Sequence, residues 1–248
     1  MKATCSLCAT VYDLDTTKIL REGKLCTGCG SSGRAQAISY CLAKYVFHED
    51  VPLSQVKKNK NIRIVGLSDG PTYSAELAKK CHYVNTYYHT EPYLDITDPQ
   101  EEHIGQYDAL ISADVFEHVL GHPSHAFRGS NKVLKMGGIL ILTVPFVNLG
   151  DHKEHYPGLQ NYTSEQLPDD RWVAHLEYAG GLNTTEQEPC FHGGPGKTLE
   201  VRLFNRARIE EELFWAGFRN IEVHTENMPE RGINWTPPSR IITAQKEF

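Results

Sequence analysis

The chain has 248 residues, 40% of them hydrophobic, and a formal net charge of −6. This length and apolar content exclude a disordered protein and suit one substantial domain with a small appendage. No apolar run reaches the roughly 18 residues of a membrane span, and residues 1–10 lack the apolar stretch of a signal peptide, so we expect a cytoplasmic protein with no membrane partner. The acidic balance disfavours a nucleic-acid partner, although a local basic patch stays possible.

Two CxxC pairs near the amino terminus form the strongest local pattern in the chain. Cys5 and Cys8 form the first pair, Cys26 and Cys29 form the second, and 17 residues separate the pairs. Paired cysteines in a reducing compartment usually bind metal, and this spacing lets two tight turns present four thiolates to one tetrahedral ion. Four thiolates leave no open coordination position, so the sequence predicts a small zinc ribbon with a structural Zn²⁺. Unrelated free cysteines or a redox pair are the alternative.

The segment after the second CxxC pair predicts a connecting helix and then a boundary. Residues 30–32 provide a turn and an N-cap, and apolar residues recur at helical spacing from Ala37 to Tyr45. The polar stretch 55–61 breaks this periodicity, which predicts a zinc-ribbon module with its helix at 1–56 and a larger domain at 57–248. The remaining cysteines are isolated, and we expect small buried hydrophobes at these positions: Cys41, Cys81 and Cys190.

The larger segment alternates strand and helix patterns. An apolar strand at 62–65 enters a glycine-containing turn at 66–70, and a helix is predicted at 72–80. Strand, helix and turn patterns continue along the chain at 107–113, 124–134, 135–138, 139–144, 206–216, 220–225 and 240–244. Such alternation predicts a parallel sheet that binds ligands at the carboxyl ends of its strands.

Five segments resemble, in order and spacing, the class I S-adenosylmethionine (SAM)-dependent methyltransferases across residues 60–248: GLSDG, YLDITD, YDALISADVFEHV, NKVLKMGGILILTVPF and ELFWAGFRNIEV. The amino-terminal CTGCGSSGRAQAISYCL also resembles the zinc-ribbon segment that precedes such domains in a bacterial subgroup associated with glycan or secondary-metabolite pathways. The resemblance implies SAM as cofactor. It also implies an α/β fold, a Rossmann-like seven-stranded, mostly parallel sheet with an antiparallel edge strand.

The resemblance further implies which residues bind the cofactor. Asp95 and Ile96 match the pair that flanks the adenine, although Asp95 could instead be a turn aspartate. Ser68 replaces a usual glycine, Ile64 a usual acidic residue, and residues 84–88 offer only neutral groups for the ribose. His118 could instead be a helix residue satisfied by a carbonyl group. The cofactor-binding positions are Gly66, Ser68, Gly70, Tyr87, Asp95, Ile96, Ser112, Asp114 and His118.

The segment 148–195 is long and irregular in pattern, and we expect a substrate-binding insertion at about 148–200. Methyl transfer to a hydroxyl needs a base to accept its proton, and histidine is the natural choice. His155 and His192 are the catalytic candidates, with ordinary solvated histidines as the alternative. A metal site from Asp151, His152 and His155 would lack a fourth ligand. Glu117 is interpreted as structural.

The leading functional hypothesis is a SAM-dependent methyltransferase that acts on a small-molecule or sugar acceptor, by O- or N-methylation. An RNA methyltransferase is the second hypothesis, because zinc ribbons also precede some of these enzymes. A non-catalytic scaffold with a decayed cofactor pocket is the third, prompted by Ser68 and the missing ribose acid. A nicotinamide-dependent enzyme is less compatible, because residues 66–72 lack the GxGxxG turn. The sequence specifies neither the acceptor nor the oligomeric state.

Overall fold

The computed structural model describes residues 1–17, 22–192, 198–233 and 240–248. Within these ranges no helix has the length and apolar character needed to cross a membrane. The amino-terminal segment forms an antiparallel hairpin and a helix, β1 (Lys2–Thr4), β2 (Val11–Asp13) and α1 (Gly33–Cys41), and one π-helical turn at Leu42–Val46 extends the helix. Ser32 caps α1, because its side chain accepts a hydrogen bond from the Ala35 amide.

The central part of the chain builds alternating strands and helices, as the hydrophobic periodicity predicts. Residues 135–138, predicted as a turn, belong to the last of these strands, which begins five residues before the predicted apolar run. The elements are β3 (Arg63–Leu67), α2 (Pro71–Lys80), β4 (His82–Thr86), β5 (Tyr107–Ala113), α3 (Ser124–Val133) and β6 (Leu134–Thr143).

The following segment was predicted to be irregular, and that prediction was wrong. Its longest strands form an antiparallel three-stranded sheet, although their mostly polar residues give no clear alternation. Gly193 and Gly194, which follow His192 in the sequence, lie outside the described residues. The strands are β7 (Phe146–Val147), β8 (Lys153–Glu154), β9 (Leu159–Gln166), β10 (Trp172–Tyr178), β11 (Asn183–Glu186), β12 (Phe191–His192), β13 (Thr198–Leu199) and β14 (Arg202–Asn205).

The chain ends with α4 (Arg206–Trp215), β15 (Phe218–Val223) and β16 (Ile242–Lys246). The central sheet has the order β15-β16-β6-β5-β3-β4, and β16 runs antiparallel to both of its neighbours. The predicted Rossmann-like, mostly parallel α/β fold is confirmed.

Two details of the sheet differ from the prediction. Among the described residues this sheet has six strands rather than seven, and its antiparallel strand lies second from the edge. After β4 the chain contributes a single bridge, between Tyr87 and Tyr93. The Asp95 side chain then accepts a hydrogen bond from the Thr97 amide. This hydrogen bond forms a turn, which ends the extended segment before a further strand can form.

The two faces of the sheet are covered by different parts of the chain. Side chains alternate between the two faces along each strand, and those on one face, such as Ile64 and Ile111, pack in one buried cluster with the amino-terminal segment and α2. Their neighbours Val65 and Leu110 pack in a second cluster with α3 and α4. The amino-terminal segment therefore lies on one face of the sheet, and the division at residues 1–56 and 57–248 stays a prediction.

Candidate active site

Two neighbouring parallel strands, β3 and β5, end in turns with unusual backbone conformation. Ser68 has φ +57° and Asp114 has φ +56°, a region that non-glycine residues rarely adopt. The Ser68 amide donates to Thr86 O at 2.8 Å, and the Asp114 amide donates to Thr143 O at 2.9 Å. Each turn is thereby tied to an adjacent strand, at the edge where parallel sheets bind ligands.

The turn after β3 is supported by a buried aspartate. The Asp69 carboxylate accepts hydrogen bonds from Tyr73 Oη at 2.6 Å and Tyr83 Oη at 2.8 Å, and burial raises its pKa to about 6. A Cβ added at Gly66 would lie 2.0 Å from Asp69 Oδ2, so only glycine leaves room for this carboxylate. A Cβ at Gly70 would meet no atom within 4 Å, so the turn borders open space. Asp69 was not among the residues predicted from the sequence.

The remaining residues matched to the cofactor occupy two kinds of environment. Ser112 is fully buried near the end of β5, and its hydroxyl has no hydrogen-bond partner among the described residues. Asp95 Oδ1 accepts from the amide and hydroxyl of Thr97, at 2.8 and 2.7 Å. Ile96 is buried in the core, whereas Tyr87 is exposed. Their contacts with an adenine and ribose stay predictions.

A buried carboxylate and two imidazoles meet just beyond β5. Glu117 is fully buried, and its Oε1 lies 2.9 Å from His192 Nδ1 and 3.7 Å from His118 Nε2. Burial raises the pKa of Glu117, and the adjacent Glu117 carboxylate raises the pKa of His192. The second nitrogen of His118, Nδ1, contacts Leu199 O at 2.9 Å. Glu117, interpreted from sequence as structural, therefore belongs to the candidate site.

A buried arginine holds the loop that carries this cluster. Arg202 is 1% exposed and donates to the carbonyl groups of Phe116, Val119 and Gly121, at 3.1, 2.6 and 2.6 Å. Its Nε also donates to Glu154 Oε1 at 2.9 Å. The guanidinium thus fixes the backbone on both sides of Glu117 and His118. Arg202 could not be predicted from the sequence, because it lies in no recognisable motif.

The other histidines of the insertion lie in separate environments. His155 Nε2 lies 3.6 Å from Glu200 Oε1 and 4.0 Å from Cys190 Sγ, so Cys190 belongs to a polar cluster rather than being a plain buried hydrophobe. His152 pairs with Glu154 at 2.8 Å, and exposed His175 pairs with Glu165 at 3.1 Å. In the described part of the chain, Asp151 and His152 form no metal-binding group with His155.

The four paired cysteines meet in one cluster, as their spacing predicts. Their sulfur atoms lie within 4.8 Å of one another, with 3.7 Å between Cys5 and Cys29 and 3.6 Å between Cys8 and Cys26. Ser31, which is fully buried, places its hydroxyl 3.3 Å from Cys5 Sγ and 3.2 Å from Cys29 Sγ.

Helix α1 connects this cluster to the edge of the sheet. Arg34, in its first turn, donates from Nη1 to Asp114 Oδ2 and from Nη2 to Glu22 Oε2 at 2.8 Å. Asp114 Oδ1 accepts from the Thr143 hydroxyl at 2.9 Å. The amino-terminal segment therefore supplies a guanidinium to the carboxyl end of β5.

No protein-family model and no curated protein matches the chain, but several solved structures resemble it. The CurJ carbon methyltransferase shares 16% identity with a TM-score of 0.46, over 79% of this chain and 51% of that one. A SAM-bound amino pentose methyltransferase from Micromonospora echinaspora, involved in calicheamicin biosynthesis, shares 14% identity with a TM-score of 0.47, over 88% and 92%. A SAM-dependent methyltransferase from Clostridium acetobutylicum shares 13% identity with a TM-score of 0.42, over 74% and 82%. The chain spans about half the length of the CurJ structure.

Proposed function

We propose that the protein is a SAM-dependent methyltransferase that methylates a hydroxyl group of a small molecule or sugar. The observation that carries this proposal is the pair formed by His192 and the buried Glu117, which lies next to the turn at the carboxyl end of β5. A histidine beside a carboxylate is a suitable general base for a hydroxyl acceptor. The parallel strand order of the central sheet agrees with a cofactor bound at the same edge.

The residues at this edge fit the methionine and sulfonium part of SAM. The buried Ser112 hydroxyl lacks a hydrogen-bond partner among the described residues, and the space beside Gly70 is open. The resemblance would place the sulfonium beside Asp114, whose carboxylate is paired with the Arg34 guanidinium and accepts from the Thr143 hydroxyl. The ribose would meet neutral groups, because β4 ends at Thr86, whose hydroxyl already donates to Gly66 O at 2.9 Å. We therefore expect moderate affinity for the cofactor.

When bound, SAM supplies an electrophilic methyl group on a positively charged sulfur, and S-adenosylhomocysteine leaves with the electrons of the broken S–C bond. The chain aligns the acceptor oxygen with that methyl group, and alignment supplies most of the rate. His192 contacts Glu117 through Nδ1, so the other ring nitrogen, Nε2, would accept the hydroxyl proton. The Glu117 carboxylate then stabilises the positively charged imidazole.

The Cys₄ cluster fits a structural zinc ion. Zinc–sulfur bonds of about 2.3 Å place tetrahedral sulfurs about 3.8 Å apart, close to the 3.6 and 3.7 Å found for the Cys8–Cys26 and Cys5–Cys29 pairs. Zinc would fix the amino-terminal segment and, through α1, the position of Arg34 beside Asp114. The resemblance to a ribbon-bearing subgroup from glycan and secondary-metabolite pathways supports a sugar or small-molecule acceptor.

A transfer assay with methyl-labelled SAM tests the proposal. We expect label in low-mass hydroxylated acceptors from a panel of sugars and small metabolites, together with release of S-adenosylhomocysteine. His192→Ala should abolish most of the transfer, whereas His175→Ala, at an exposed ion pair, should leave it unchanged. Label found only in RNA, with binding that falls steeply with salt, would favour the RNA methyltransferase hypothesis instead.

A further inference from the structure

Three potential metal ligands from separate parts of the insertion converge outside the His192–Glu117 pair. His155 Nε2 lies 4.0 Å from Cys190 Sγ and 3.6 Å from Glu200 Oε1, and the three donor atoms lie within 4.8 Å of one another. The side chains of His155 and Glu200 are only 15% and 16% exposed. Imidazole, thiolate and carboxylate groups are all zinc ligands, so Cys190 would lose its thiol proton to solvent on binding, and none of the three residues is used in the proposed methyl transfer.

Backbone hydrogen bonds hold these three residues together. The Glu200 amide donates to Cys190 O at 2.7 Å, and the His155 amide donates to Val201 O at 2.8 Å. The Val201 amide in turn donates to Glu117 O at 2.8 Å. The ligand-bearing segments are therefore tied to one another and to the candidate active site without any contribution from a metal.

The observed separations are close to those that a tetrahedral zinc ion requires. Bonds of about 2.0 Å to nitrogen and oxygen and about 2.3 Å to sulfur place N and S about 3.5 Å apart, and N and O about 3.3 Å apart. The distances from His155 Nε2 exceed these values by roughly 0.5 Å to Cys190 Sγ and 0.3 Å to Glu200 Oε1, a shift that side-chain rotation can supply. We propose that His155, Cys190 and Glu200 form a second zinc site.

Such a site would differ in kind from the Cys₄ cluster. Three protein ligands leave one coordination position open to water or to a ligand oxygen, which is the arrangement of catalytic rather than structural zinc. If the open position binds the acceptor oxygen, that role rests on the proposed function as a methyltransferase. Zinc binding itself does not depend on that function, because it can be measured without any substrate.

Elemental analysis of the full-length protein, saturated with zinc and freed of unbound metal by gel filtration, tests the site. We expect two zinc ions per wild-type chain and one in His155→Ala and in Glu200→Gln. His175→Ala, which alters a histidine–glutamate pair outside the cluster, should retain two. One zinc per wild-type chain, lost only in Cys26→Ser, would overturn the proposal. Loss of the second zinc in Glu117→Gln but not in His155→Ala would also overturn it.

Cobalt provides a second measurement that does not rely on counting metal in destabilised variants. Wild-type protein that holds one equivalent of zinc should bind one equivalent of cobalt and develop a sulfur-to-cobalt charge-transfer band. The band should be absent in Cys190→Ser and unchanged in Cys81→Ser, which alters another isolated cysteine. No band in the wild type, or an undiminished band in Cys190→Ser, would contradict coordination by Cys190.

Discussion

Replacement of Arg202 by methionine should destabilise the protein strongly. Methionine fills the space of the aliphatic stem of arginine but removes the guanidinium and its hydrogen bonds to the carbonyl groups of Phe116, Val119 and Gly121 and to the Glu154 carboxylate. Each buried polar group left unpaired costs about 1–3 kcal/mol, and breaking a buried ion pair typically costs about 3–5 kcal/mol. Since these terms overlap, we expect a loss of about 3–5 kcal/mol in the free energy of unfolding.

Urea denaturation followed by circular dichroism measures this loss. At about 2–4 °C per kcal/mol for a chain of this size, thermal unfolding should shift down by roughly 6–20 °C. Arg171→Gln is the control, because its pair with Asp169 is exposed, and it should change stability by less than about 0.5 kcal/mol. A loss below about 1 kcal/mol in Arg202→Met would refute the assignment of Arg202 as the residue that fixes this loop.

Three further predictions concern the cofactor, the metal and the base. Asp95→Ala should weaken S-adenosylhomocysteine binding about tenfold to a hundredfold, because loss of a charged hydrogen-bond acceptor costs about 1.5–3 kcal/mol. Unchanged affinity by calorimetry would mean that the adenine is held elsewhere. Cys26→Ser should lose the tightly bound structural zinc, and elemental analysis showing the same zinc content as wild type would exclude a Cys₄ site. His192→Ala should lower turnover about a hundredfold with cofactor affinity intact. The unprotonated imidazole is the base, and Glu117 raises the pKa of His192, so wild-type turnover should rise with pH and the midpoint of the rise should lie above the ordinary pKa of histidine. Glu117→Gln should move this midpoint to lower pH, and an identical profile in the variant would contradict the pairing.

Elements with strong periodicity could be predicted from the sequence. Strand β5 was predicted at 107–113 and lies at Tyr107–Ala113, because a run of apolar residues between polar flanks leaves few alternatives. The convergence of Cys5, Cys8, Cys26 and Cys29 followed from their spacing alone. Local pattern is sufficient where neighbouring residues decide the structure.

Contacts between distant segments could not be predicted. Glu117 and His192 meet although 75 positions separate them, and the pairing depends on how the insertion folds over β5. Strand β9, with the sequence LQNYTSEQ, carries few apolar residues, so its register is set by packing against the rest of the insertion rather than by its own pattern. Nothing in the sequence distinguishes Arg202 from an exposed charged residue. Its burial depends on backbone carbonyl groups of a distant segment, which accept the hydrogen bonds of the guanidinium.

The central claim is that the chain binds SAM, and calorimetric titration with S-adenosylhomocysteine tests it most directly. We predict one binding site per chain with a dissociation constant in the micromolar range, about −8 kcal/mol at 1 μM, because the ribose lacks a carboxylate partner. Saturating ligand should also raise the midpoint of thermal unfolding. The absence of both heat and thermal shift at millimolar ligand would contradict the proposed function and favour a scaffold with a decayed cofactor pocket.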